Sequence, residues 1–141
     1  METSANGNFS DNAGAQRWTP SASGSTIDVS QITAFLNSGT NVEISTGGPG
    51  TGSEAGNITI NAAIAKTAGA NTSLLLQADG SIFVNQAVTS TAGELDVTFA
   101  ADAGDISLNA AIDTNGGDLT LNTMGGVTQA AAFDVDELLL D

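Results

Sequence analysis

Gly56-Asn57-Ile58-Thr59-Ile60-Asn61-Ala62-Ala63-Ile64 is followed by Gly80-Ser81-Ile82-Phe83-Val84-Asn85-Gln86-Ala87-Val88 and by Gly104-Asp105-Ile106-Ser107-Leu108-Asn109-Ala110-Ala111-Ile112, each at an offset of 24 residues without a gap. Six columns match: Gly56/Gly80/Gly104, Ile58/Ile82/Ile106, Ile60/Val84/Leu108, Asn61/Asn85/Asn109, Ala63/Ala87/Ala111 and Ile64/Val88/Ile112. Apolar and polar residues alternate within each stretch, the period of a strand with one buried face. The β-branched residues and the recurrent Gly exclude a helix. A fixed repeat of like on like predicts coils stacked about 4.8 Å apart rather than a succession of hairpins. The fold expected is all-β: a right-handed parallel β-helix, or β-solenoid, of about 24-residue coils. Its hand follows from the usual crossover preference.

Outward from these stretches the pattern continues. Gly93-Glu94-Leu95-Asp96-Val97 aligns with Gly117-Asp118-Leu119-Thr120-Leu121, again at 24. Ser73-Leu74-Leu75-Leu76 occupies the equivalent place one turn earlier, shifted by a loop of different length. Coils are therefore expected over 56–79, 80–103 and 104–125, with a partial coil over 126–141, in a β-helix domain spanning 25–141. Gly126-Val127-Thr128-Gln129 opens the partial coil, and Glu137-Leu138-Leu139-Leu140 is its next strand. No polar cap follows this strand, so the chain is expected to be a fragment or to dock at this end. Ser30 to Gly39 reads as one short helix near 31–38, with Ser30 as N-cap, Gly39 at the C-cap and Ile32, Phe35 and Leu36 on one face. Strands Ile27–Val29 and Asn41–Ile44 flank it, and Thr46–Ala55 is a loop. Residues 1–24 are a flexible or capping segment whose large anchors are Phe9 and Trp18.

Composition sets the outer limits. The 141 residues hold 2 basic and 16 acidic side chains, a formal charge of −14, with no cysteine, histidine or tyrosine. Arg17 and Lys66 cannot make the cationic surface that nucleic acid or an anionic membrane surface requires. Zinc fingers, iron–sulfur clusters and disulfide frameworks lack their cysteines. A Ser-His-Asp triad lacks its histidine. Aromatic residues make up only 4%, so the core must be Ile, Val, Leu and Ala. No apolar run is long enough to span a membrane, so insertion is not expected. Met1–Asn8 has neither a basic n-region nor an apolar h-region and does not read as a signal peptide. The chain is thus expected to be cytosolic or to be a piece of a longer exported protein.

The phrases Ile27-Asp28-Val29, Ser30 through Thr46, Gly56 through Ile64, and Gly117-Asp118-Leu119-Thr120-Leu121-Asn122 leading into Gly126-Val127-Thr128-Gln129 resemble the filamentous-haemagglutinin-like exoproteins and adhesins. The resemblance covers about residues 25–141. It implies a secreted bacterial surface protein of thousands of residues with the β-helix as a stalk, and it carries no catalytic residue. The family's N-terminal secretion domain has no counterpart in residues 1–24.

Candidate sites follow from the columns. Asn61, Asn85 and Asn109 are expected to form a structural ladder of side-chain amides, backed by Ile58, Ile82 and Ile106 inside and Gly56, Gly80 and Gly104 at a corner. The sharper reading of the ladder is a polar strip for sugar. Phe83 interrupts the outward column of Thr59 and Ser107. It and Trp18 are possible contacts for a sugar or protein, although Phe83 could instead be covered by the N-terminal segment. Asp96, Asp102, Asp105, Asp113 and Asp118 lack any calcium-loop spacing and read as a solvated face that opposes aggregation. No metal, cofactor or acid–base constellation is expected, so the chain is read as no enzyme. The expected partners are the rest of a longer chain or identical copies, with a glycan or host surface as the alternative.

Overall fold

The computed structural model describes residues 7–22, 24–46 and 56–141. The chain forms a β-solenoid of about five turns with one short helix. A hairpin of β1 (Gly7–Asn12) and β2 (Ala15–Pro20) precedes α1 (Val29–Asn37) and β3 (Val42–Ser45). The coils follow. The first holds β4 (Ile58–Ile60), β5 (Ile64–Lys66) and β6 (Thr72–Ala78), and the second holds β7 (Ile82–Val84), β8 (Val88–Ser90) and β9 (Leu95–Ala101). The third holds β10 (Ile106–Leu108), β11 (Ile112–Asp113) and β12 (Leu119–Thr123), and the last holds β13 (Val127–Gln129), β14 (Phe133–Asp134) and β15 (Leu138–Leu140).

Equivalent strands stack into three sheets. Two are four-stranded, in orders β13-β10-β7-β4 and β14-β11-β8-β5; the third runs the whole length as β1-β2-β3-β6-β9-β12-β15. Every pairing is parallel except that of β1 with β2. Within the two shorter sheets Ile58, Ile82 and Ile106 align, as do Ile64, Val88 and Ile112. Inward side chains of the middle coils are sealed from water: Ile82, Val84, Val88, Ile106 and Leu108 are fully buried, with Leu74, Val97 and Leu119 opposite them. Three sheets facing one another across so narrow a lumen leave room for aliphatic side chains, and Phe99 is the one buried aromatic in the middle coils.

The long sheet departs from the expected repeat. Val97 pairs with Leu119 rather than with Leu121, so the offset there is 22, and it is 23 one coil earlier. The corner after the second sheet loses residues from coil to coil, and the following strand slides to keep its apolar side chains facing inward. A slip by one would turn every side chain to the wrong face, and the corner lengths absorb the difference.

The N-terminal end also corrects the sequence reading. Asp28, not Ser30, caps α1: its carboxylate accepts the Ser30 amide at 2.9 Å and the Ser30 hydroxyl at 2.8 Å. An Asp one turn before the apolar face outcompetes Ser because the carboxylate accepts two bonds at once. Ile27–Val29 is consequently no strand; Val29 is the first residue of α1. Ser38 is the C-cap, and Gly39 follows it at φ +81°. Residues 7–20 form a hairpin whose two-residue turn, Ala13-Gly14, has φ of 53° and 94°. Positive φ at both positions is the turn that matches strand twist. The loop expected after Thr46 lies, over 47–55, outside the described residues.

Candidate functional site

The outer columns are organised as hydrogen-bonded ladders along the stack. Asn85 Nδ2 donates to Asn61 Oδ1 at 3.2 Å, and Asn109 Nδ2 donates to Asn85 Oδ1 at 2.9 Å. All three side chains are exposed. The backbone aligns them: the Asn85 amide bonds to the Ile60 carbonyl and the Asn109 amide to Val84. In the last coil Ala130 donates to Leu108 from the equivalent place, and the side-chain ladder stops there. The amides that meet a neighbouring coil are thereby committed to the stack.

A second ladder runs beside it. Ser81 N donates to Asn57 Oδ1 at 2.7 Å, Asp105 N to Ser81 Oγ at 3.0 Å, and Gly126 N to Asp105 Oδ1 at 2.7 Å. Each coil thus offers a side-chain acceptor to the amide of the next. The neighbouring corner holds Gly56, Gly80 and Gly104. A Cβ on Gly104 would lie 2.7 Å from the Gly80 carbonyl carbon and from the Ser81 amide. At Gly104 the coils approach too closely for any side chain, while Gly56 takes a positive φ of 70° that favours glycine.

Inside the corner that follows the second sheet lies a column that the sequence reading missed. Lys66, Ser90 and Thr114 are all buried. Lys66 Nζ donates to the carbonyls of Ala68 at 2.8 Å, Gly69 at 3.2 Å and Ala92. Ser90 Oγ donates to Gly93 at 2.7 Å, and Thr114 Oγ1 to Gly117 at 2.6 Å. Where the corner is longest the side chain is longest, and where the corner is trimmed a hydroxyl reaches. Turn carbonyls that point inward would otherwise be buried and unpaired. The signal was an offset of 24 between the three positions, hidden because Lys, Ser and Thr share no obvious class.

The possible contact residues separate. Trp18 is 3% exposed and stacks edge-on to Phe9, ring centroids 5.2 Å apart, while Phe9 meets Phe35 at 5.0 Å. Trp18 is therefore part of the core and not a surface contact: the hairpin turns it inward onto the helix. Phe83 stays half-buried on the outside of its sheet between Thr59 and Ser107. Residues 7–20 pair into the long sheet and do not lie along this one.

The acidic residues also fall into columns. Asp96, Asp118 and Glu137 stack on the long sheet, and Asp113 and Asp134 on another. Among the described residues no group of three or more His, Cys, Asp or Glu is placed to hold a metal ion. The Ser30 amide first, then the Ser30 hydroxyl, hold the Asp28 carboxyl below its ordinary value. A cavity of about 420 Å³ lies under the N-terminal end, walled by Trp18, Ile32, Ile58 and Leu76. Asp79 is the one titratable group among the described residues of its wall. Among the described residues no helix is long and apolar enough to cross a membrane. Compared with known proteins, the chain matches no family model, no curated protein and no solved structure.

Proposed function

We propose that this chain is a non-enzymatic structural segment of a large secreted bacterial surface protein, a stalk unit of the filamentous-haemagglutinin-like adhesin kind. The observation that carries the reading is where the polar side chains are spent. Asn61, Asn85, Asn109, Asn57, Ser81 and Asp105 bond to adjacent coils, and Lys66, Ser90 and Thr114 close the corners from inside. Such a chain devotes its chemistry to holding a fixed repeat, which is what a spacer requires. The sequence resemblance supports the same reading, and so does a surface rich in neutral and acidic groups, which stays soluble among like neighbours.

The test is location. Antibodies raised against the chain should label intact cells of the organism that produces it, without permeabilisation. Labelling only after lysis would overturn the surface assignment. A second reading is a binding or self-assembling module, for which the half-buried Phe83 on the outside of its sheet offers a contact surface. Light scattering at rising concentration separates the two, because a spacer stays monomeric and a self-assembling subunit gains mass. A glycan array tests Phe83 and the Asn ladder as a sugar surface.

A further inference from the structure

Lys66 is the one lysine of the chain, and it is fully buried. Burying an ammonium is costly unless its donors are met and its charge is balanced. Its three N–H groups go to the carbonyls of Ala68 at 2.8 Å, Gly69 at 3.2 Å and Ala92, and no carboxylate is among these partners. Peptide dipoles therefore balance the charge. Ala68 and Gly69 belong to the corner 67–71 between β5 and β6, and Ala92 to the corner 91–94 between β8 and β9. The ammonium thus sits between the first coil and the second.

The corners that carry these carbonyls are held by bonds in which the lysine side chain takes no part. Asn37, the last residue of α1, accepts the Thr67 amide at 2.9 Å and the Ala68 amide at 3.2 Å on its Oδ1. Asn71 Oδ1 accepts the Glu94 amide at 3.0 Å, and Asn71 Nδ2 donates to Glu94 Oε2 at 2.7 Å, which ties one corner to the other. The two corners are in contact: a Cβ on Gly93 would lie 2.8 Å from the Gly69 carbonyl oxygen. One oxygen in this region is left over. Thr72, where the first corner enters β6, is 5% exposed and faces inward, and its hydroxyl has no hydrogen-bond partner. The ammonium has spent its three donors and does not serve it.

We propose that this corner is a binding site for a monovalent cation of the ammonium or potassium kind, and that the chain fills it with its own lysine. Converging backbone carbonyls replace the hydration shell of such an ion. The donor set is neutral, whereas tight calcium sites are built with carboxylates. When the side chain at residue 66 is shortened, a free ammonium or potassium ion takes the carbonyls of Ala68, Gly69 and Ala92. The later corners are trimmed, and there Ser90 and Thr114 reach the turn carbonyls with a hydroxyl and no cation. In the wild-type chain the tethered ammonium makes the junction of the first two coils indifferent to the salt around it. The inference is independent of the stalk reading and holds wherever the protein resides.

The experiment uses the whole chain, melted by circular dichroism in chloride salts of equal ionic strength. Tetramethylammonium, too bulky for the corner, sets the baseline, and ammonium or potassium is exchanged for it. Lys66→Ala should melt below wild type in the baseline salt. It should regain about 5 °C or more in ammonium or potassium, with a dependence on concentration that saturates. Wild type, whose site is filled, should melt at nearly the same temperature in all three salts. Lys66→Met fills the same space without a charge and should also ignore the cation. Isotopically labelled ammonium should give a slowly exchanging N–H signal with Lys66→Ala and none with wild type. Should Lys66→Ala be unfolded in the baseline salt, its refolding on addition of ammonium becomes the readout, and Lys66→Ser, which copies the residue used one coil later, repeats it. The same response from Lys66→Met or from wild type as from Lys66→Ala overturns the proposal. So does a failure of both short variants to respond to ammonium or potassium.

Discussion

At the N-terminal end Trp18, Phe9 and Phe35 pack edge to face under a capped helix. At the other end Leu138 and Leu140 continue the columns of Leu119 and Leu121 and face water. The same inward positions are occupied in both regions, and the same repeat leads into them. What differs is whether anything covers the last apolar layer. A solenoid coil is half-built by itself: its interior face is completed only by the coil or cap above it. The N-terminal region imports aromatic residues, a helix and an antiparallel hairpin to complete that face, and Phe9, Trp18 and Phe35, half of the six aromatic residues of a 4%-aromatic chain, gather there. The last coil carries its apolar side chains at the surface of this structure.

That contrast is open to direct attack. Trp18→Ala should cost about 3–5 kcal/mol in urea denaturation, as for other large-to-small changes in a sealed core. Leu140→Ala should stay within about 0.5 kcal/mol. Comparable losses at the two sites would erase the distinction between the ends. Between them, Lys66→Met tests the buried corner. It leaves the inward carbonyls of Ala68, Gly69 and Ala92 without their donor and should cost about 2–3 kcal/mol, with Ser90→Ala costing less. A Lys66→Met protein as stable as wild type would mean that water replaces the ammonium. Asn85→Ala should cost about 1 kcal/mol and exceed Asn109→Ala, because Asn85 bonds both above and below. Equal effects would show that the ladder does not act as a stack.

The smallest expected effect concerns the helix cap. Asp28→Ala should lower the melting temperature, and Asp28→Asn should largely restore it, since both natural caps accept the Ser30 amide. Its folded carboxyl lies below the ordinary value, so the unfolded chain binds the proton more tightly. The capping contribution is present above the unfolded carboxylate range and is lost as pH falls through the folded value. Melting of wild type and Asp28→Asn across acid pH checks the sign: the gap should move against wild type as pH falls.

How far the sequence foretold this structure depended on whether a feature repeats without interruption. Ile58, Ile82 and Ile106, and the three asparagines above them, sit at a constant spacing, and text alone aligned them. The long sheet was misaligned by two residues because Gly117 resembles Gly93, while the register is decided by inward burial of Leu119 against Val97. Glycine marks a corner and says nothing about how many residues the corner holds. The hairpin at Ala13-Gly14 was missed because Ala takes a place where Asn usually signals the turn. The Lys66 column was hidden because one structural task, bonding to inward carbonyls, is met by three unlike side chains. Resemblance between residues reports shared surroundings well and shared work poorly.

The acceptor ladder of Asn57, Ser81 and Asp105 gives the stack a direction in time as well as in space. Each of these oxygens waits for an amide that comes later in the chain, at Ser81, Asp105 and Gly126. A finished coil is therefore a template for its successor, which in return offers the carbonyls of Ser81, Asp105 and Gly126 to the amides of Ile58, Ile82 and Ile106. Refolding should start where the aromatic residues and α1 gather and advance coil by coil, with pulse-labelled amides in β7 protected before those in β10, and those in β13 last. Contacts made in that order join residues about one coil apart, so a long object assembles through a series of short closures.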